Sequence, residues 1–194
     1  MKLKSTPQLA NFESLWADAE SLWVANENKP AFQGYVSADY ASIYRALLKL
    51  RTRATTFLEW GSGLGVVTIM ASQLGFEAYG IEVEPQLVDM ARGLADKYQS
   101  SAVFATGSFI PAEFEAQLGD GEEFHRTVVE DASAYAELDM ELRDFDLVYA
   151  FPWPEEHTVF RRIVRKCAAT STLFLRYDAR EGLALSRPAS KRRR

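Results

Sequence analysis

The sequence predicts an α/β fold, a mostly parallel sheet with helices on both faces. Three observations point there. From residue 56 to 178, short apolar runs alternate with helix-patterned segments, the order that parallel crossovers require. The run "FDLVYAF" (145–151) is apolar almost throughout, as a strand buried on both faces must be. And the first run, "TTFLEW" (55–60), is followed by glycines at every second position, 61, 63 and 65, which marks a tight strand-to-helix turn.

Taken in order, Leu9, Phe12, Trp16, Ala19 and Trp23 recur three or four apart and predict one wide apolar helix face. "NENKPAFQG" (26–34) breaks that pattern with Pro30 and Gly34. Ser37 is the predicted N-cap of a second helix over 38–50, with Tyr40, Ile43, Tyr44, Leu47 and Leu48 on one face. After the first strand, 64–75 reads as a helix stopped by Gly75, 77–83 as the second strand, and 85–99 as a helix with Pro85 at its start. "SAVFATGSF" (101–109) is the third strand, ending at Gly107. Residues 111–144 form a long acidic connection, part helical in "ASAYAELDMELRD" (132–144). "FDLVYAF" is the fourth strand, 154–168 a helix, "STLFLRYD" (171–178) the fifth strand, and "GLALSRP" (182–188) a short edge strand stopped by Pro188. With no repeat and no internal linker, the expectation is a single domain over 1–194. Within it, 1–53 is a helical N-terminal extension, 56–178 the nucleotide-binding α/β core and 188–194 a disordered basic tail.

Composition narrows the class. A 194-residue chain that is 47% hydrophobic suits one globular domain, and a net charge of −5 argues against nucleic acid as a partner for the molecule as a whole. The charge is uneven. Residues 112–146 hold twelve acids against two arginines, and 161–194 hold eleven Lys/Arg against two acids. Cys167 is the sole cysteine, so no intrachain disulfide forms, and its helical surroundings predict a buried structural thiol. His125 and His157 lack ligand spacing, so no metal is expected. No run of eighteen apolar residues and no N-terminal apolar segment is present, which predicts a cytoplasmic chain that does not engage membranes.

In parallel sheets ligands bind where strand order reverses, at the carboxyl ends of the strands. Glu59 ends the first strand just before Gly61-Ser62-Gly63-Leu64-Gly65, and Glu82 ends the second, 21 residues after Gly61. Glycine lets a ligand approach the backbone, the helix start offers N–H donors, and an acid at Glu82 suits a ribose diol. Val66 stands where a dinucleotide fingerprint requires glycine, which disfavours a nicotinamide oxidoreductase. The spacing acid-x-G-x-G-x-G resembles motif I of the class I (Rossmann-like) S-adenosylmethionine (SAM)-dependent methyltransferases, over about 56–178.

That resemblance implies SAM as cofactor, with Glu59, Gly61, Ser62, Gly63 and Gly65 under its methionine and sugar portions and Glu82, with Val83 beside it, at the ribose. Ser108 and Phe109 match the looser adenine position. "AFPWPEE" (150–156) resembles the [N/D]-P-P-[Y/F/W] motif of amino-group methylators, but Ala150 replaces the Asn or Asp and Phe151 the first proline. That leaves the backbone of Ala150 or Phe151 to face the reacting centre. No catalytic residue is assigned. Glu155, Glu156, His157, Tyr177 and Asp178 are the available bases, and Glu155 and Glu156 equally serve a helix start. Trp153 in the rigid "PWP" and Tyr35 and Tyr40 in "GYVSADY" (34–40), a candidate lid, are the expected substrate contacts with Glu155. Trp60 is expected to pack beneath the glycine turn. Only 16 residues follow Asp178, so the sheet is abbreviated where many family members build a substrate wall. The acidic connection favours a basic acceptor, on a small molecule or a protein side chain; the alternative is a SAM-binding sensor or partner subunit without turnover.

Overall fold

The computed structural model describes residues 6–33, 36–115, 127 and 133–188. Six strands form one sheet: β1 (Thr56–Trp60), β2 (Glu77–Glu82), β3 (Val103–Thr106), β4 (Leu147–Ala150), β5 (Leu173–Asp178) and β6 (Gly182–Ser186). Their spatial order is β3-β2-β1-β4-β5-β6, and every pairing is parallel except the antiparallel hairpin of β5 with β6. Order reverses between β1 and β4, so the crevice lies at their carboxyl ends. The sheet is thus a Rossmann-like one that ends in a short edge strand.

Strand alternation sorts side chains into two cores. Phe57, Ala78, Phe104, Leu147, Tyr149 and Leu175 join the layer formed with the helices α1 (Pro7–Asn26), α2 (Tyr40–Leu50), α3 (Val66–Gln73) and α4 (Pro85–Lys97). Leu58, Trp60, Ile81, Val148, Ala150 and Phe174 face α5 (Ala112–Glu115), α6 (Tyr135–Leu138) and α7 (His157–Cys167). Trp60 therefore belongs to the second core and not beneath the glycine turn. Its indole N–H donates to the Tyr135 hydroxyl at 3.0 Å, and its ring stacks on Phe109 with centroids 4.8 Å apart.

Local chemistry sets the boundaries. α1 starts on Thr6, whose hydroxyl accepts the Leu9 N–H. α2 is capped by Asp39, two residues after the expected Ser37, because that carboxylate accepts both the Ser42 N–H (3.0 Å) and its hydroxyl. The third strand, Val103–Thr106, is shorter at both ends than expected, and the Gly107 N–H makes one more bond to β2, to the Glu82 carbonyl at 3.0 Å. Of the acidic connection only two short helical pieces, Tyr135–Leu138 and Leu142–Asp144, lie among the described residues of 132–144. The basic run 191–194 lies outside them.

Asp146 joins the sheet's halves. Its carboxylate accepts the Thr55 and Thr56 N–H groups at 2.8 and 3.2 Å, and the Thr56 hydroxyl donates to the Asp144 carbonyl. Among the described residues no helix is long and apolar enough to cross a membrane.

Candidate functional site

A cleft of about 560 Å³ opens over the carboxyl ends of β1, β2, β4 and β5, a size that suits a cofactor-scale ligand. Its floor is the turn after β1. Gly61, Gly63 and Gly65 all adopt left-handed backbone, with φ of 67°, 52° and 73°. That conformation costs an L side chain roughly 1–2 kcal/mol, so the every-second-residue spacing is a backbone requirement. Gly65 carries a second constraint: a Cβ there would lie 2.5 Å from the Phe104 ring and 2.9 Å from Ala91. A Cβ on Gly61 would meet nothing within 4 Å, because that residue faces the cleft. Gly80 of β2 completes the seat, since a Cβ there would strike Ser62 at 2.9 Å.

Two buried carboxyls flank the turn and point differently. Glu59 is turned toward the start of α3, where one oxygen accepts the Thr68 N–H (2.9 Å) and hydroxyl (2.6 Å). Burial pushes its pKa up to about 8, against the pull of those two bonds. Glu82 spans the turn and the next loop, accepting the Gly63 N–H at 2.9 Å and the Glu84 N–H at 3.1 Å. Burial raises its pKa too, with the backbone donors opposing. Ser62 ends with its hydroxyl buried and unpartnered.

Of the residues singled out in the sequence, Glu59, Gly61, Ser62, Gly63, Glu82, Val83, Ser108, Phe109, Tyr40 and Trp153 all line this cleft. Gly65 does not; it supports the turn from beneath, against Phe104. Ala150 is fully buried under the β4 end and presents no side chain to the cleft. Glu155 is exposed outside it, and its neighbour Glu156 lines it instead, accepting the N–H and hydroxyl of Thr127 at 3.0 Å each. Tyr35 and the start of the expected lid lie outside the described residues.

Among the other lining residues, Tyr149 carried no sequence signal, whereas Phe151 and Asp178 were expected near the reacting centre. Tyr149 sits on β4 directly across from Glu59 in register, with its hydroxyl buried and without a hydrogen-bond partner. Burial holds that phenol well above its ordinary pKa, with the Glu59 charge adding to the effect. Phe151 packs edge-on to Tyr177 at 4.8 Å and forms the far wall with Trp153 and Pro154. Asp178 closes that end. The N–H groups of Glu181 and Arg180 hold its carboxyl below the usual range, and His157 Nε2 lies 3.4 Å away. Cys167 is buried on α7, away from the cleft, its thiol pushed up to about 11 chiefly by burial. Among the described residues no His, Cys, Asp or Glu cluster could hold a metal.

No protein-family model matches the chain, and no curated protein does. Solved structures do. An RNA methyltransferase from Salinibacter ruber, in complex with S-adenosyl-L-homocysteine, superposes with a TM-score of 0.52 at 17% identity, over 74% of this chain and 78% of that one. An O-methyltransferase from Bacillus cereus, in complex with the same product, gives 0.54 at 14% identity, over 91% and 67%. Against two further neighbours the chain spans about half their length, 57% and 47%. The fold is that of the class I SAM-dependent methyltransferases.

Proposed function

We propose that the chain binds SAM in this cleft and transfers its methyl group to an amine-bearing acceptor. The observation that carries the reading is the turn itself: left-handed Gly61 and Gly63 bring bare backbone to the cleft floor, and the buried Glu82 carboxylate is anchored to that turn through Gly63. The residues present fit the cofactor. Glu82 would accept from the ribose hydroxyls, Gly61, Ser62 and Gly63 would hold the sugar and methionine portions, and Val83, Ser108 and Phe109 would hold the base. Glu59 and the unpartnered Tyr149 hydroxyl, which also line the cleft, would serve the methionine portion.

SAM, when bound, supplies a methyl on a sulfonium that is its own leaving group, so the protein's task is alignment. The acceptor end offers Tyr40, Phe151 and Trp153 as aromatic walls, and its acids, Glu156, Asp178 and Glu181, outnumber its one lining cation, Arg180, a combination that attracts an ammonium group. Asp178 stays ionised and serves as counter-charge, since a carboxylate with a lowered pKa is a poor proton acceptor. Calorimetric titration with SAM, S-adenosylhomocysteine and NAD, followed by methyl-transfer assays on small amines and basic peptides, tests both parts. Binding of SAM and its product but not NAD, with label moving to an amine, supports the proposal. No SAM binding at millimolar ligand overturns it.

A second reading is a SAM-binding sensor or partner subunit. It is favoured by the β4 end, where Ala150 contributes no polar group to an acceptor. Tight binding of SAM with no transfer to any acceptor pool would select it.

A further inference from the structure

A second concavity lies along α7, sharing no residue with the cleft, and the charge of its lining is the reverse. It measures about 360 Å³ and is lined by Arg161, Arg162 and Arg165 of α7, Phe174 of β5, and Ser186 and Arg187 at the end of β6. Among the described residues no carboxylate lines it. Arg161 and Arg165 are one helical turn apart and exposed, as is Arg187. None of these three makes an ion pair with a described residue, although ion pairs engage Arg92, Lys97 and Arg143 elsewhere. Arg162 is differently employed, over the Phe114 ring at 5.2 Å. Arg176, two residues from Phe174 on the same face of β5, has its Nε buried without a hydrogen-bond partner. So several guanidinium groups converge on one groove of a protein whose net charge is −5. In the sequence, Lys191-Arg192-Arg193-Arg194 follows three residues after Pro188, which closes the groove.

We infer that this groove between α7 and β6 is a docking site for the phosphodiester backbone of single-stranded RNA. Guanidinium forks match phosphate oxygens bidentately, and a positively charged groove that tracks the backbone is how single strands are held without sequence preference. Net charge concealed the feature, because the acids that dominate it lie in other parts of the chain. The inference is independent of the SAM reading and does not decide the methyl acceptor.

The test is fluorescence anisotropy of a labelled 20-nucleotide single-stranded RNA with the full chain, over 50–200 mM salt. The protein is compared with Arg161→Ala/Arg165→Ala and with a chain ending at residue 188. The double substitution should raise Kd at least tenfold at 50 mM salt and flatten the log–log salt slope by about 1.4, two single-strand contacts' worth. SAM binding and the thermal midpoint check that the variant is folded. RNA binding that the double substitution leaves unchanged, or that disappears only with residues 189–194, overturns the proposal. So does binding of anionic phosphatidylserine vesicles by a protein that ignores the RNA.

Discussion

The β1–β2–β3 half of the sheet and the β4–β5–β6 half hold their ends of the cleft by different means. In the first half, backbone does the shaping: left-handed glycines, amide donors, and two carboxyls buried against them. In the second half, side chains do it, with Tyr149, Phe151 and Trp153 presented from the end of one strand and Asp178 from the next. A surface made of backbone is fixed by torsion angles and leaves little room for substitution. A surface made of aromatic side chains changes its shape with each residue exchanged. The contrast suits a constant cofactor on one side and a chosen acceptor on the other.

Substitutions sharpen or break that contrast. The largest effect belongs to Glu59→Gln. A buried carboxyl whose folded pKa is about 8 stays protonated while its unfolded counterpart ionises near 4.5, so wild-type stability from this group is full below pH 4.5 and is lost as pH rises toward 8. Glutamine keeps the acceptor for Thr68 without a charge. Relative to wild type the variant should gain stability progressively from pH 4.5 to 8, by roughly 5 kcal/mol at 1.4 kcal/mol per pH unit. It should then level off, as read by urea midpoints across pH. A difference that does not change with pH would break the account of Glu59.

Gly65→Ala comes next. Left-handed strain and contact with the Phe104 ring together should cost about 3 kcal/mol, lowering the thermal midpoint by roughly 6–12 °C. Glu82→Ala should leave the fold intact and weaken SAM by about 1.5–3 kcal/mol, roughly ten- to hundredfold, in calorimetry. Gly61→Ala meets no neighbour, so it should cost only the 1–2 kcal/mol of strain in stability. Its methyl would enter the cleft and weaken SAM further. The smallest effect on the cofactor is expected from Trp153→Ala, which should hold SAM within twofold of wild type while lowering kcat/KM for the acceptor. If Trp153→Ala weakened SAM as much as Glu82→Ala does, the division between the halves would fail.

The sequence was most legible where one residue type has one physical reason. The glycine spacing, the acids ending β1 and β2, and the apolar strands could each be read alone, and the mostly parallel sheet followed from their alternation with helices. Boundaries were less legible because caps compete: Ser37 and Asp39 both qualify, and only the geometry of Ser42 decides between them. Tyr149 could not be found in "LVYA", since its place across from Glu59 depends on the register of two strands far apart in the chain. Glu155 and Glu156 were indistinguishable in sequence, and a short 3-10 turn over Pro154–Glu156 turns the second one inward. The arginine groove was hidden for a similar reason. Its members come from a helix and the end of an edge strand, and the hairpin of β5 with β6 is what brings them together.

The Asp146 clamp also bears on how the chain is made. It ties the start of β1 to a segment translated 90 residues later, so a chain emerging from the ribosome completes β1, β2 and β3 while the β4 side of its central strand is still bare. At about 5–20 residues per second that edge waits on the order of ten seconds, an interval in which an unpaired apolar strand invites pairing with a neighbour. The open side of β1 is therefore most exposed to such mispairing while the acidic connection is being synthesised.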